Sequence, residues 1–353
     1  MRLFKPFWCI IIFFYTISAE AQNFRFLKGW DKGRVLNLST EPNGGCSFLF
    51  AFRPKSSNDT LKLGNFQYIS TSTQSVNFLV RIDSIGTVTK VRYIGTQPFN
   101  YMTRDKDGNF YLLSDVSTQT SVDSLTLYGA NGRMAFAKYD NNLKLIWVRQ
   151  HGGGNDEPSP YDLFYSEGHI LFTCRAMSNS VKLGSKTFSF SKTSFINGEI
   201  NPNDGSIKWC NNYFKSYSPS YEDYQISGMA YLDGYIYITG AVQNNKNIFI
   251  GKDTFKVGAL IIQTDSLGNY LKGFSIPNLD KNTIPSSFGA ITSDGDYLYL
   301  SAGIIDTFIW AGKKIPPQYP SGYKFKESYV ISLTLSLEPR WIFPIKVTDN
   351  TKV

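Results

Sequence analysis

Apolar residues run through this chain in short alternating stretches closed by turns, and the arrangement recurs five times at a spacing of roughly 60 residues. Each unit opens with a turn and a short apolar run, as in Gly108-Asn109-Phe110-Tyr111-Leu112-Leu113, Gly168-His169-Ile170-Leu171-Phe172 and Gly234-Tyr235-Ile236-Tyr237-Ile238. Period-two alternation of this length predicts half-buried strands, four to a unit. First strands are predicted at Val35 to Ser39, Asn100 to Arg104, Asp162 to Ser166, Gly228 to Leu232 and Gly289 to Ser293. Second strands begin at Cys46, Asn109, His169, Tyr235 and Asp296. The intervening Asp107-Gly108, Glu167-Gly168, Asp233-Gly234 and Asp294-Gly295 suit two-residue hairpins, because glycine accepts the positive φ these turns demand.

An "apolar, any, apolar, Gly" phrase stands between second and third strands in every unit. It reads Leu61-Lys62-Leu63-Gly64, Leu125-Thr126-Leu127-Tyr128-Gly129, Val181-Lys182-Leu183-Gly184, Ile248-Phe249-Ile250-Gly251 and Phe308-Ile309-Trp310-Ala311-Gly312, and predicts a short extra strand or hairpin. Third strands follow at Phe78 to Ile82, Ala135 to Tyr139, Phe195 to Ile200, Leu260 to Thr264 and Tyr329 to Leu333. Fourth strands fall at Val88 to Tyr93, Leu145 to Gln150, Ile207 to Asn211, Tyr270 to Phe274 and Arg340 to Ile345. Trp147, Trp209 and Trp341 recur on the fourth strand, where a large flat ring would pack between neighbouring units. Helical periodicity is absent beyond the first residues. The expected fold is all-β, a β-propeller of about five four-stranded blades of roughly 60 residues each.

The second unit carries Asp107-Gly108-Asn109-Phe110-Tyr111, Phe136-Ala137-Lys138-Tyr139-Asp140 and Trp147. With these the chain resembles the bacterial secreted β-propeller repeats often called SBBP repeats, common in exported proteins of the Bacteroidetes type, over roughly residues 35 to 345. Unit three departs with Asn201-Pro202-Asn203-Asp204-Gly205, and unit five has Thr334 where the pattern has Asp. The resemblance implies a propeller without a shared enzymatic activity. Closure into a ring would result if Phe24 to Leu27 paired beside Arg340 to Ile345, with an open arc of blades as the rival arrangement.

Residues 1–21 read as a secretory signal: Arg2 and Lys5, an apolar stretch from Phe7 to Ile17, and Ala19-Glu20-Ala21 as a cleavage site. Residues 22–353 then form a single β-propeller domain, exported to the periplasm or cell surface, with no membrane-spanning segment after cleavage. Beyond Arg2, Lys5 and Glu20, 34 basic and 27 acidic side chains leave a net charge of +7, spread without a run of five Lys or Arg. That argues against nucleic acid and for weak attraction to acidic polysaccharide or an anionic membrane surface. Cys46, Cys174 and Cys210 are expected as buried, unpaired thiols, since Cys174 and Cys210 fall two strands apart in one blade.

Candidate chemistry is sparse. The long connections Gly95 to Asn100, His151 to Tyr161, Ser216 to Gln225 and Ser275 to Ser287 are the expected binding surface, with Tyr217, Tyr221 and Tyr224 the densest aromatic cluster and His151 and Tyr161 as further candidate binding residues. The plainer reading is that these tyrosines seal a groove between blades. His151-Gly152-Gly153-Gly154 lacks the helix and the Lys-Ser/Thr of a phosphate loop, and two histidines, His151 and His169, cannot build a zinc site without help from distant blades. Asp105-Lys106-Asp107-Gly108-Asn109 lacks the distal Glu of a calcium loop and reads as a turn. No cofactor and no metal are implied. The leading expectation is a non-enzymatic binding or scaffold protein for a polysaccharide or an envelope protein. The alternative is a glycan hydrolase or lyase using two of Asp156, Glu157, Glu222, Asp223 and Asp280, and a purely structural module is the third class.

Overall fold

The structure, a computed structural model, describes residues 33–345 except 97–98, 117, 130–132, 153–157, 177–179, 190–193, 213–223, 244–246, 278–285, 305–306 and 316–326. Blade 1 comprises β1 (Gly33–Thr40), β2 (Cys46–Phe52), the hairpin β3 (Thr60–Leu63) and β4 (Phe66–Ile69), then β5 (Val76–Ile82) and β6 (Val88–Gly95). Blade 2 repeats the order with β7 (Tyr101–Arg104), β8 (Phe110–Asp115), β9 (Thr120–Val122), β10 (Leu125–Leu127), β11 (Met134–Tyr139) and β12 (Leu145–His151). Blade 3 has β13 (Pro158–Ser166), β14 (His169–Ala176), β15 (Ser180–Leu183), β16 (Lys186–Ser189), β17 (Ser194–Ile200) and β18 (Ile207–Asn211). Blade 4 has β19 (Tyr224–Leu232), β20 (Tyr235–Val242), β21 (Ile248–Ile250), β22 (Asp253–Phe255), β23 (Gly258–Asp265) and β24 (Tyr270–Pro277). Blade 5 has β25 (Ser287–Ser293), β26 (Tyr297–Ile304), β27 (Phe308–Trp310), β28 (Lys313–Ile315), β29 (Glu327–Thr334) and β30 (Pro339–Ile345).

Five four-stranded antiparallel sheets in meander order and no α-helix among the described residues make this a β-propeller-type chain. In blade 2 the expected phrase, Leu125 to Leu127, is the second strand of a two-stranded hairpin and Leu125 is exposed, because β9 stands one strand earlier; in blades 1, 3, 4 and 5 the apolar-Gly phrase is the first strand of such a hairpin. Its alternate residues are buried while the residue between them points to solvent, as with Leu61, Lys62 and Leu63 or Phe308, Ile309 and Trp310. In those four blades the glycine after the phrase has a positive φ, +58° at Gly64 and +57° at Gly251, which lets the hairpin turn tightly, and in blade 2 Asp123 takes that place at +49°.

The chain parts into two compact units, residues 1–128 with 137–148, and 129–136 with 149–353. In the first, Cys46, Phe48, Phe50, Phe78 and Val80 form a core that the β3–β4 hairpin covers with Leu61 and Leu63, and β1 lies alongside β7. In the second, two cores join blades among the described residues. Blade 3 meets blade 4 through Leu171, Phe195 and Trp209 against Ile236, Ile238 and Leu260. Blade 4 meets blade 5 through Tyr237, Ile261 and Ile276 against Leu298, Leu300 and Trp310. The first strands β13, β19 and β25 run side by side, as propeller blades require.

Two turn expectations need correction. Glu167-Gly168 and Asp233-Gly234 are the expected two-residue hairpins, closed by the pairs Ser166↔His169 and Leu232↔Tyr235. Asp107-Gly108 instead lies in a five-residue loop closed by Arg104↔Phe110, because the Asp105 carboxylate accepts the N–H groups of Asp107 and Asn109 and caps a wider turn. The Asp294 carboxylate does the same for Asp296 and Tyr297, so those strands close at Ser293↔Leu298. Tyr161 and Tyr224 also move: both lie on first strands, β13 and β19, which extend further back than their alternation suggests. The tryptophans differ among themselves. Trp209 is buried in the core between blades 3 and 4, Trp147 is tilted against Tyr111 of its own blade, and Trp341 is 38% exposed against Tyr299.

Candidate binding site

The third strand of every blade carries a polar residue two positions before its closing turn: Arg81, Lys138, Glu199, Gln263 and Ser332. Arg81 and Gln263 of this set, with residues of the neighbouring strands, hold one blade to the turn of the next. Arg81 donates to the carbonyl and side-chain oxygens of Asn141 at 2.9 and 2.8 Å. Arg149 donates to the Asp204 carbonyl, and His151 Nε2–H to the Gly205 carbonyl at 2.8 Å. Asn211 Nδ2 donates to the carbonyls of Leu267 and Gly268, while the Tyr237 hydroxyl and Gln263 Nε2 both donate to that of Leu335. His151 is therefore a latch, edge-on to Phe136, with burial pushing its pKa down.

Glu199 is a second engaged group. Its buried carboxylate accepts from His169 Nδ1–H at 3.0 Å, Lys208 Nζ at 2.6 Å and Trp209 Nε1–H at 2.8 Å. The His169 ring stacks on Tyr231 of blade 4 at 3.6 Å. A carboxylate orienting an imidazole is the geometry of a general base. The neighbouring Ser166 hydroxyl, however, donates to the Tyr231 carbonyl at 2.6 Å, so the cluster joins blades and presents no nucleophile.

A different setting surrounds Tyr161 and Asp162. In β13 the pairing shifts from Pro160↔Cys174 to Asp162↔Thr173, which makes Tyr161 the extra residue of a β-bulge. Bulges re-aim side chains. The Tyr161 ring packs edge-on against Phe195 at 5.1 Å, and its hydroxyl accepts from Gln225 Nε2 on the adjacent β19 at 2.9 Å. Gln225 Oε1 in turn accepts from Gln243 Nε2 at 3.2 Å. The string leaves the Tyr161 O–H, the second Nε2 hydrogen of Gln225 and the Gln243 carbonyl oxygen unspent among the described residues. Gln225 is exposed, and Tyr224 opens the same strand.

Behind this string runs a polar row across blade 3, since Asp162 pairs with Thr173, Thr173 with Asn197 and Asn197 with Asn211. Directly opposed residues share one face of the sheet. Thr173 Oγ1 and both amide atoms of Asn197 are buried with no hydrogen-bond partner among the described residues. Burial pushes the Asp162 carboxyl up to about 6, against which the Leu163 N–H bond works to lower it. Ordered water ordinarily meets groups of this kind. The corresponding row of blade 4, Gly228, Thr239, Ile261 and Phe274, has a single polar side chain, and that one donates to the Gly289 carbonyl.

Of the residues singled out from sequence, Tyr161 and Tyr224 therefore sit on neighbouring first strands and His151 is apart from them. Tyr217, Tyr221 and the acids Asp156, Glu157, Glu222, Asp223 and Asp280 lie outside the described residues. Asp162, Gln225, Thr173 and Asn197 were missed. The available signal was an Asp and an Asn at positions where the other repeats carry mostly apolar or small residues. Cys46, Cys174 and Cys210 are buried free thiols, with burial raising Cys46 and Cys210 to about 11. No group of three His, Cys, Asp or Glu side chains suited to a metal occurs among the described residues.

No family model and no curated protein matches the chain. Among solved structures it is similar to a luciferin-regenerating enzyme, at 12% identity over 90% of this chain and 96% of that one with a TM-score of 0.36. It is also similar to a mutant of the Synechocystis apocarotenoid oxygenase, at 10% identity, 89% of this chain and 61% of that one, TM-score 0.42, so it spans less than two thirds of that protein. BamB from Moraxella catarrhalis is a third, at 9% identity, 75% and 92% coverage and a TM-score of 0.23. At these identities and scores the likenesses bear on neither activity nor ligand, and the fold rests on the sheets themselves.

Proposed function

We propose that this chain is an exported, non-enzymatic propeller that binds an extended polar ligand, a polysaccharide or a segment of an envelope protein, at the first strands of blades 3 and 4. The observation that carries the reading is the Tyr161–Gln225–Gln243 string. It combines a flat aromatic ring with neutral donors and acceptors whose capacity is partly unspent, the chemistry that sugar hydroxyls and peptide groups require. Elsewhere Arg81, Arg149, His151, Asn211 and Gln263 are occupied in holding blade to blade, which suits a rigid platform and leaves recognition to the bulge.

The test is retention of the chain from Gln22 on insoluble polysaccharides, peptidoglycan and immobilised envelope proteins, beside a Tyr161→Phe/Gln225→Ala variant and a Tyr217/Tyr221/Tyr224→Ala variant. Tyr161→Phe keeps the ring against Phe195 and removes only the hydroxyl. Loss of two hydrogen bonds should weaken binding about tenfold, about 1.4 kcal/mol. Retention unchanged in the first variant and abolished in the second would move the site to Tyr217, Tyr221 and Tyr224. Failure of the parent chain to bind any of the three materials would overturn the proposal.

A further inference from the structure

The fourth strands β6, β12, β18, β24 and β30 carry Lys90, Arg92, Arg149, Lys208, Lys272 and Arg340 and not one Asp or Glu. The hairpins beside them in blades 4 and 5 add exposed Lys252, Lys256, Lys313 and Lys314. Their single acid, Asp253, accepts the Tyr270 hydroxyl. Acidic residues gather instead at the turns, as with Asp83, Asp140, Asp204, Asp265 and Glu338. The outer rim of these sheets is thus basic by construction.

On blades 4 and 5 large apolar side chains stand among these cations. Leu271 is 42% exposed, Ile309 53%, Trp341 38%, Phe343 53% and Ile345 42%. The last three alternate along β30 and so share one face of the sheet. On blade 4 the matching residues are Phe274, edge-on to Trp310 of the next hairpin at 5.9 Å, and Ile276, 1% exposed. β27 lies over β24, whereas β30 is the last element among the described residues.

We propose that the outer rim of blades 4 and 5, from the β21–β22 hairpin to β30, seats on an anionic lipid surface. Lysines and arginines meet the phosphates, the Trp341 ring takes the depth between headgroup and acyl chain, and Phe343, Ile345 and Ile309 enter the apolar boundary. An acidic polysaccharide would satisfy the cations and gain nothing from three exposed apolar side chains. Pairing of β30 with a second copy is disfavoured, because Pro339 and Pro344 offer no N–H to a ladder. This surface is independent of the Tyr161 site.

The experiment is co-sedimentation of the chain from Gln22 with phosphatidylcholine vesicles containing or lacking about 30% phosphatidylglycerol, so that the apolar stretch before Gln22 does not enter the reading. Binding is expected to the anionic vesicles alone and to fall as salt rises. It should drop roughly tenfold in Lys313→Glu/Lys314→Glu and again in Trp341→Ser/Phe343→Ser. The lysine pair is exposed at a hairpin, so its variant tests the idea even where the second unfolds. Absence of binding, equal binding to neutral vesicles, or retention by an acidic polysaccharide but not by vesicles would overturn it. So would a dimer in light scattering that Trp341→Ser/Phe343→Ser converts to monomer.

Discussion

A carboxyl group placed as Asp162 is bears a cost that depends on pH. Its pKa rises from about 3.8 to about 6, chiefly through burial, so between those values the folded chain holds a proton that the unfolded chain has released. Stability from this residue therefore falls as pH climbs from about 4 to about 6 and stays at the lower level above that. Replacing the carboxylate with an amide removes the charge without changing the shape. Asp162→Asn should raise the unfolding temperature at pH 7.5 by a few degrees and leave it nearly unchanged at pH 4, as read by calorimetry. An equal effect at both pH values would show that the amide acts through new hydrogen bonds to Thr173 or Asn197 rather than through the lost charge. Sequence could not reveal this setting. An Asp after Pro160-Tyr161 is unremarkable until the bulge turns it toward Thr173.

Strands were the legible part of the chain, and the reason is period. Alternation such as that in Gly234-Tyr235-Ile236-Tyr237-Ile238 registers burial directly, so the second strands begin within a residue of where the pattern puts them. The first strands of blades 3 and 4 extend further back than the alternation shows, because Pro158 to Tyr161 and Tyr224 to Ser227 contain bulges that break the alternation while the pairing continues. Glycine separates two kinds of position in these elements. A Cβ on Gly240 would lie 1.9 Å from the Gln225 carbonyl oxygen, where β19 bends over β20 at its bulge, whereas Gly168 in a two-residue turn has open space and a φ of +88°. Gly240→Ala should accordingly cost about 3 kcal/mol or more, and Gly168→Ala about 1 kcal/mol from backbone strain alone. Urea unfolding of the two variants gives the comparison. Equal costs would mean that β19 moves aside freely and that the bulge is soft.

Across the described molecule one rule recurs, in which the fourth strands of blades 1 to 4 are each completed by residues of the following blade. Arg92 of β6 bonds Asp123 of the next hairpin, Asn211 of β18 bonds the next turn, and Phe274 of β24 meets Trp310. Repetition makes such neighbour contacts a large share of the stability of each element. β30 repeats the sequence character of the other fourth strands, down to Trp341 at the position of Trp209, yet Trp209 is 7% exposed and Trp341 38%. Residue type alone gave no warning of that difference, since it depends on which element packs over the strand and not on composition. Amide exchange reads it out. Among the described residues both β24 and β30 pair on one side only, with β23 and β29, so their backbone bonding there is alike and the cover differs. Residues 339–345 should exchange faster than residues 270–277 in the free protein, and anionic vesicles should slow the first group while leaving the second unchanged. Protection of β30 equal to that of β24 without lipid would show that its apolar face is already covered in solution, and the lipid surface would then have no face of β30 left to meet.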